Sequence, residues 1–190
     1  MLCRDDLLQI FRETGVLHEG HFLLTSGRHS SQYLQCAQVL KHPEIAAKLC
    51  RELTGILGEK ELDLCIGPAA GGIIVAYEMA RSLGVPALFT EREGGEMALR
   101  RGFKVEPGEK VLVVEDVITT GGSVREVMEV VRRAGGLVTE VAVLVDRSGG
   151  RVTFDVPLRS LLSLAVESYP PQECPLCRQG LPLVKPGSRK

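Results

Sequence analysis

The chain is predicted to be an α/β protein built on a doubly wound, mainly parallel sheet. From Pro43 onward, helical segments with an apolar face alternate with short β-branched runs. Residues 111–114, and 141–145 of the strand expected over 138–145, are continuously apolar rather than alternating, as befits strands covered on both faces. Gly58 and Gly84 stand where helices should stop. A length of 190 residues with 44% hydrophobic content suits one domain. Its expected parts are an N-terminal hood over 1–40, an α/β core over 42–167 and an irregular tail over 168–190.

Taken in order, Asp5 is placed as the N-cap of a short helix with Leu7, Leu8 and Phe11 inward, ending at Gly15. Residues 22–36 carry Leu23-Leu24 and Tyr33-Leu34 around the polar run Thr25-Ser26-Gly27-Arg28, which predicts two short strands and a turn. Ala46, Leu49, Cys50, Leu53 and Leu57 mark a helix that Pro43 starts, and a strand follows over 62–67. A second helix begins after Pro68-Ala69-Ala70-Gly71-Gly72, with Ile73, Ile74, Tyr77, Ala80 and Leu83 expected inward, and leads to a strand over 85–89. Strand 111–114, helix 123–134 and strand 138–145 complete the alternation. Residues 91–103 are polar, hold Gly94-Gly95 and exceed an ordinary connection, so a lid or hairpin arm is expected.

Composition excludes several classes. With 23 basic and 24 acidic residues the net charge is -1, against binding nucleic acid or a membrane surface by charge alone. No apolar stretch reaches a bilayer span, and the best, 64–77, is broken by Gly67, Pro68, Gly71 and Gly72. The N-terminus lacks a secretory pattern, so a soluble cytoplasmic protein is expected. Cys3, Cys36, Cys50 and Cys65 sit singly among apolar residues and read as buried thiols. Met79, Met97 and Met128 read as packing residues.

One motif carries chemistry. After the apolar run from Val111, Glu115 and Asp116 end a strand, and Val117, Ile118, Thr119, Thr120, Gly121, Gly122 and Ser123 lead into a helix. This is the ligand crevice of an open α/β sheet. Its loop offers amides, hydroxyls and a helix dipole to a phosphate, while the two carboxylates suit vicinal hydroxyls or Mg²⁺. A sugar phosphate satisfies both halves. Neither a lysine-containing phosphate loop nor a Gly-x-Gly-x-x-Gly dinucleotide fingerprint is present.

This stretch resembles the signature of the type I phosphoribosyltransferases for 5-phosphoribosyl 1-diphosphate (PRPP). Ser26-Gly27-Arg28-His29-Ser30 followed by Tyr33 is similar to the hood segment of the orotate phosphoribosyltransferases. Residues 65–73, with Ala69 and Ala70, resemble their pyrophosphate loop, and Asp146-Arg147 resembles the strand end whose arginine meets the orotate carboxylate. The resemblance implies orotate and PRPP as substrates, orotidine 5′-monophosphate and pyrophosphate as products, Mg²⁺ as cofactor, and a homodimer sharing its mobile loops. It gives Glu115, Asp116 and Arg100 catalytic roles. Residues 117–123, Arg92, Ala69 and Ala70 would hold PRPP with the acid pair. Thr119, Arg147, Ser26 and Tyr33 would hold orotate. No side chain is assigned as a direct metal ligand. A purine or xanthine phosphoribosyltransferase, or a PRPP-sensing regulator without turnover, is the alternative.

Three positions depart from the pattern of many orotate enzymes. Thr25 and Gly71 stand where those enzymes carry lysine, and the loop offers Arg92, Arg100 and Arg101 rather than a lysine and a histidine. Arginine neutralises pyrophosphate but is a poor proton donor. Cys174-Pro-Leu-Cys177 offers two thiols, half of a metal site, and His18, His21, His29 and His42 show no clustered spacing.

Overall fold

The computed structural model describes residues 2–24 and 26–186. Its elements are α1 (Arg4–Glu13), β1 (Leu17–Leu23), β2 (His29–Leu34), α2 (Ala37–Leu40), α3 (Pro43–Leu57), β3 (Leu64–Pro68), α4 (Gly71–Leu83), β4 (Ala87–Glu93), β5 (Glu96–Leu99), β6 (Lys110–Ile118), α5 (Gly122–Arg133), β7 (Leu137–Asp146), β8 (Leu158–Ser163) and α6 (Pro175–Arg178). The main sheet has six strands in the order β5-β4-β3-β6-β7-β8, and β1 pairs with β2 in a separate hairpin. Only the β4–β5 pairing in the main sheet is antiparallel.

The apolar runs are continuous because each strand serves two cores. Cys65, Leu112, Val114, Ala142, Leu144 and Leu162 face the layer that contains α1, α3 and α4. Leu64, Ile66, Val111, Val113, Val141 and Val143 face Val124, Val127, Met128 and Val131 of α5. Alternation along a strand therefore sends neighbouring valines to opposite sides, and neither side meets water. Met79, Met97 and Met128 are all buried. Among the described residues no helix is long and apolar enough to cross a membrane.

Several expectations need correction. Cys3, not Asp5, caps α1, and Asp6 completes a reciprocal capping box by accepting from the Cys3 amide at 2.9 Å. Cys3 is therefore exposed, whereas Cys36, Cys50 and Cys65 are buried. On α4 the inward residues are Val75, Ala76, Met79 and Ala80, while Ile74 and Tyr77 are exposed at 41% and 63%. Their apolar character misled the periodicity because small residues rather than large ones fill the tight α4–sheet contact. Strand β8 was not anticipated, since Arg159 and Ser160 interrupt its apolar pattern.

The terminal segment is tied to the hood. His29 and Tyr169 exchange backbone hydrogen bonds of 2.9 and 2.8 Å. The Leu23 amide donates to the Val184 carbonyl, and the Val184 amide to the His21 carbonyl, each at 2.8 Å. Ser30 Oγ donates to the Glu167 carbonyl at 2.7 Å. Residues 187–190 of the predicted tail and Thr25 of the predicted turn lie outside the described residues.

Candidate active site

Strand β6 ends beside the start of α5, and the link between them makes the site. Gly121 is the N-cap of α5 with φ +74°, and no side chain caps the helix. A β-carbon there would lie 2.9 Å from Val152 and 3.0 Å from Phe154. Glycine is thus required twice, by conformation and by space. The first amides of α5 have no side-chain acceptor, which leaves them and the dipole's positive end to a bound anion. Glu115, Val117, Ile118, Thr119, Thr120, Gly121, Gly122, Ser123 and Val124 line one pocket, with both threonines exposed at its mouth.

Glu115 is buried and Asp116 half-buried. The Asp116 amide donates to Glu115 Oε1 at 3.2 Å, and the Val117 amide to Asp116 Oδ1 at 2.8 Å. Burial, reinforced by the neighbouring Asp116 charge, pushes the Glu115 carboxyl up to about 9. Burial also raises Asp116, against the lowering effect of its hydrogen bonds. Two acids this close and this dry do not both ionise until hydroxyl donors or a cation arrive.

The loop after β3 reaches the same place. Ala69 and Ala70 are exposed, their mutual peptide bond is cis, and the Ala69 amide donates to the Thr90 carbonyl at 2.8 Å. Gly71 abuts Asp116 so closely that a β-carbon would lie 2.6 Å from the carboxylate. A lysine, or any side chain, at this position has no room here unless Asp116 moves.

Arg147 follows β7, and its amide donates to the Ile118 carbonyl at 2.9 Å, which places it beside the end of β6. Its Nε is buried without a hydrogen-bond partner among the described residues. Asp146 does not pair with it. That carboxylate is buried and accepts from the amides of Ser148 at 2.7 Å and Gly150 at 3.1 Å. In the hood, Ser26 is exposed in the turn, and the Tyr33 hydroxyl donates to Gln35 Oε1 at 2.6 Å. Cys36, expected only as a buried thiol, lies near enough to Asp116 and Arg147 to feel their charges, which no spacing could have flagged. Burial raises its thiol to about 12; the charge of Asp116 adds to the rise, and that of Arg147 opposes it.

The arginines of residues 91–103 are not among the residues lining this pocket. The segment is the hairpin of β4 and β5, turning at Gly94-Gly95. Arg92 reaches Glu126 on α5 at 2.9 Å, Arg100 pairs with Glu93 at 3.4 Å, and Arg101 holds Glu91 through two bonds of 2.8 Å. Arg100–Glu93 is exposed on both sides, whereas Glu91 and Glu126 are half-buried beneath exposed arginines, and pairs so open to water are weakly held.

Comparison with known proteins matches this geometry. A family model described as the phosphoribosyl transferase domain fits residues 35–163, which cover the acid pair, its loop and Arg147. The chain belongs to the phosphoribosyl transferase family. It is 60% identical to the orotate phosphoribosyltransferase of Pelotomaculum thermopropionicum over 100% of both chains, and 58% identical to that of Carboxydothermus hydrogenoformans, again over 100% of both. The crystal structure of orotate phosphoribosyltransferase from Aeropyrum pernix superposes with a TM-score of 0.69 at 29% identity, covering 83% of this chain and 93% of that one.

Proposed function

We propose that the protein transfers the phosphoribosyl group of PRPP to orotate, releasing pyrophosphate and forming orotidine 5′-monophosphate in pyrimidine synthesis. The observation that carries this reading is the buried Glu115–Asp116 pair set against the uncapped start of α5. The full-length similarity to orotate phosphoribosyltransferases supports the choice of base.

The α5 amides and the hydroxyls of Thr119, Thr120 and Ser123 take the 5′-phosphate. Glu115 and Asp116 accept from the ribose 2′ and 3′ hydroxyls. As the bond from C1′ to the pyrophosphate oxygen breaks, its electron pair leaves with pyrophosphate and positive charge grows on the ribose. The base nitrogen then bonds to C1′, and its proton passes to the departing pyrophosphate or to water. Preorganised carboxylates stabilise that charge without reorganising. Arg147 meets the orotate carboxylate with a guanidinium whose Nε is otherwise unpartnered. Closure of the β4–β5 hairpin would bring Arg92, Arg100 and Arg101 over the pyrophosphate and exclude water.

The donor set at the acid pair fits Mg²⁺, being all oxygen and holding carboxylates whose ionisation burial suppresses. Glu115 and Asp116 would hold the ion by way of the ribose hydroxyls. When bound, it neutralises diphosphate charge. The exposed Ile74 and Tyr77 on α4 support a homodimer, since a second copy would remove them from water.

Pyrophosphate release measured with PRPP and Mg²⁺ against orotate, uracil, xanthine, guanine, hypoxanthine and adenine tests the assignment. Turnover with orotate alone is expected. Turnover with a purine in its place, or PRPP binding without turnover on any base, would overturn it.

A further inference from the structure

The two thiols of Cys174 and Cys177, which the sequence leaves as half a site, meet two histidines of the hood. Their ligand atoms and those of His21 and His29 all lie within 4.8 Å of one another. His21 Nε2 is 3.0 Å from His29 Nδ1, 3.5 Å from Cys174 Sγ and 3.8 Å from Cys177 Sγ, and Cys177 Sγ is 3.3 Å from His29 Nδ1. Tetrahedral zinc with bonds of about 2.0–2.1 Å to nitrogen and about 2.3 Å to sulfur puts ligand atoms about 3.3 to 3.8 Å apart. The four side chains therefore already stand near the corners of such a tetrahedron.

A second observation concerns the tautomer. His21 Nδ1 lies 2.8 Å from the Leu181 carbonyl, which can only accept, so Nδ1 carries the proton. Nε2 is left with its lone pair, aimed at the cluster. Metal-bound histidines are typically oriented in this way through their other nitrogen. His21, His29 and Cys174 are buried and Cys177 is exposed, so the site is closed on three sides with one thiol at the surface.

We propose that His21, His29, Cys174 and Cys177 bind one structural Zn²⁺ that fastens the terminal segment to the β1–β2 hairpin. Two sulfurs and two imidazole nitrogens in a tetrahedron select zinc over the hard, oxygen-seeking Mg²⁺ of the proposed active site. All four ligands come from one chain, so no second copy is required. The hairpin needs such a fastening, because a two-stranded ribbon is marginal alone. Binding displaces the protons of both thiols, so affinity falls as pH falls.

The test uses the full-length protein, purified without chelator, and does not read turnover, so it stands apart from the activity proposed above. Elemental analysis is expected to find one zinc per chain, and Cys177→Ser to lose it. Removing the metal from the wild type with a strong chelator should lower Tm by at least about 5 °C, and added Zn²⁺ should restore it. Alkylation supplies a readout independent of stability. Exposed Cys3 should react alike in both forms, while Cys177 should react about tenfold or more slower with zinc bound. Protein that neither contains zinc nor takes it up, full zinc content in Cys177→Ser, a Cys174–Cys177 disulfide in the isolated protein, or equal Cys177 labelling in both forms would each overturn the proposal.

Discussion

Gly71 opens α4 and Asp116 lies near the end of β6, the strand that pairs in parallel with β3, and they approach so closely that a methyl group at 71 would fall 2.6 Å from the Asp116 carboxylate. Position 71 therefore controls where the acid sits. Gly71→Ala is expected to fold, because the obstacle is a side chain at the edge of a pocket. It should raise KM for PRPP while leaving KM for orotate nearly unchanged, since only the ribose-facing carboxylate is displaced. Substrate-by-substrate kinetics check this, and an unchanged PRPP KM would refute it.

Replacing the acid itself separates charge from position. Asp116→Asn keeps the shape and should cost at least about 2 kcal/mol of transition-state stabilisation, roughly a thirtyfold drop in kcat/KM. A value within about threefold of wild type would remove Asp116 from the reaction.

Glu115 makes the fold sensitive to pH in an unusual direction. The folded protein keeps the Glu115 proton up to about 9, whereas the unfolded chain releases it near the ordinary value of 4.5. Between those values the folded state binds more protons, so stability falls as pH rises from about 4.5 to about 9. Glu115→Gln should flatten that decline and melt higher than wild type at alkaline pH, although it loses activity. Thermal melts of both proteins across that range, without PRPP, provide the measurement; parallel curves would contradict the burial argument.

Much of this was legible in the sequence. Valines 111, 113, 114, 141, 143 and 145 announced strands buried on both faces, and Gly121-Gly122 after Glu115-Asp116 announced the turn from strand into helix, because both depend on neighbours in sequence. The inward face of α4 was read in part: Ala80 is inward as expected, but Val75, Ala76 and Met79 take the contact and leave Ile74 and Tyr77 exposed. Half of the four-residue cluster was legible, as the Cys174-Pro-Leu-Cys177 pair, and its other half was not. His21 and His29 come together only when the hairpin folds, and Cys174 arrives from 153 residues away. No spacing along the chain links the two halves.

Base choice should rest on Arg147. Arg147→Ala is expected to lower kcat/KM for orotate by about a hundredfold or more with little change in PRPP affinity, and Arg147→Lys should recover only part, because a point charge lacks the guanidinium fork. Asp146 accepts from loop amides instead, so no compensating ion pair is lost. Equal losses toward both substrates would place Arg147 elsewhere in the mechanism.

The β4–β5 hairpin should behave as a closing arm. Its surface ion pairs, Arg92–Glu126 and Arg101–Glu91, are worth little in water and can be exchanged for pyrophosphate. Trypsin should cut first at Arg100 or Arg101, and PRPP with Mg²⁺ should slow that cut. Equal rates with and without ligand would count against closure.

The backbone pairing of Leu23 and His21 with Val184, and of His29 with Tyr169, also orders events during synthesis. The sheet and the β6–α5 loop are complete once Ser163 has left the ribosome, while the β1–β2 hairpin, already paired with itself, waits for Tyr169 and Val184 before the terminal segment closes on it. A chain cut after Glu167 would therefore keep the sheet, the β6–α5 loop and Arg147, and lose the segment that braces the β1–β2 hairpin. Tags and fusions placed after Val184 press on that hairpin before they press on the sheet.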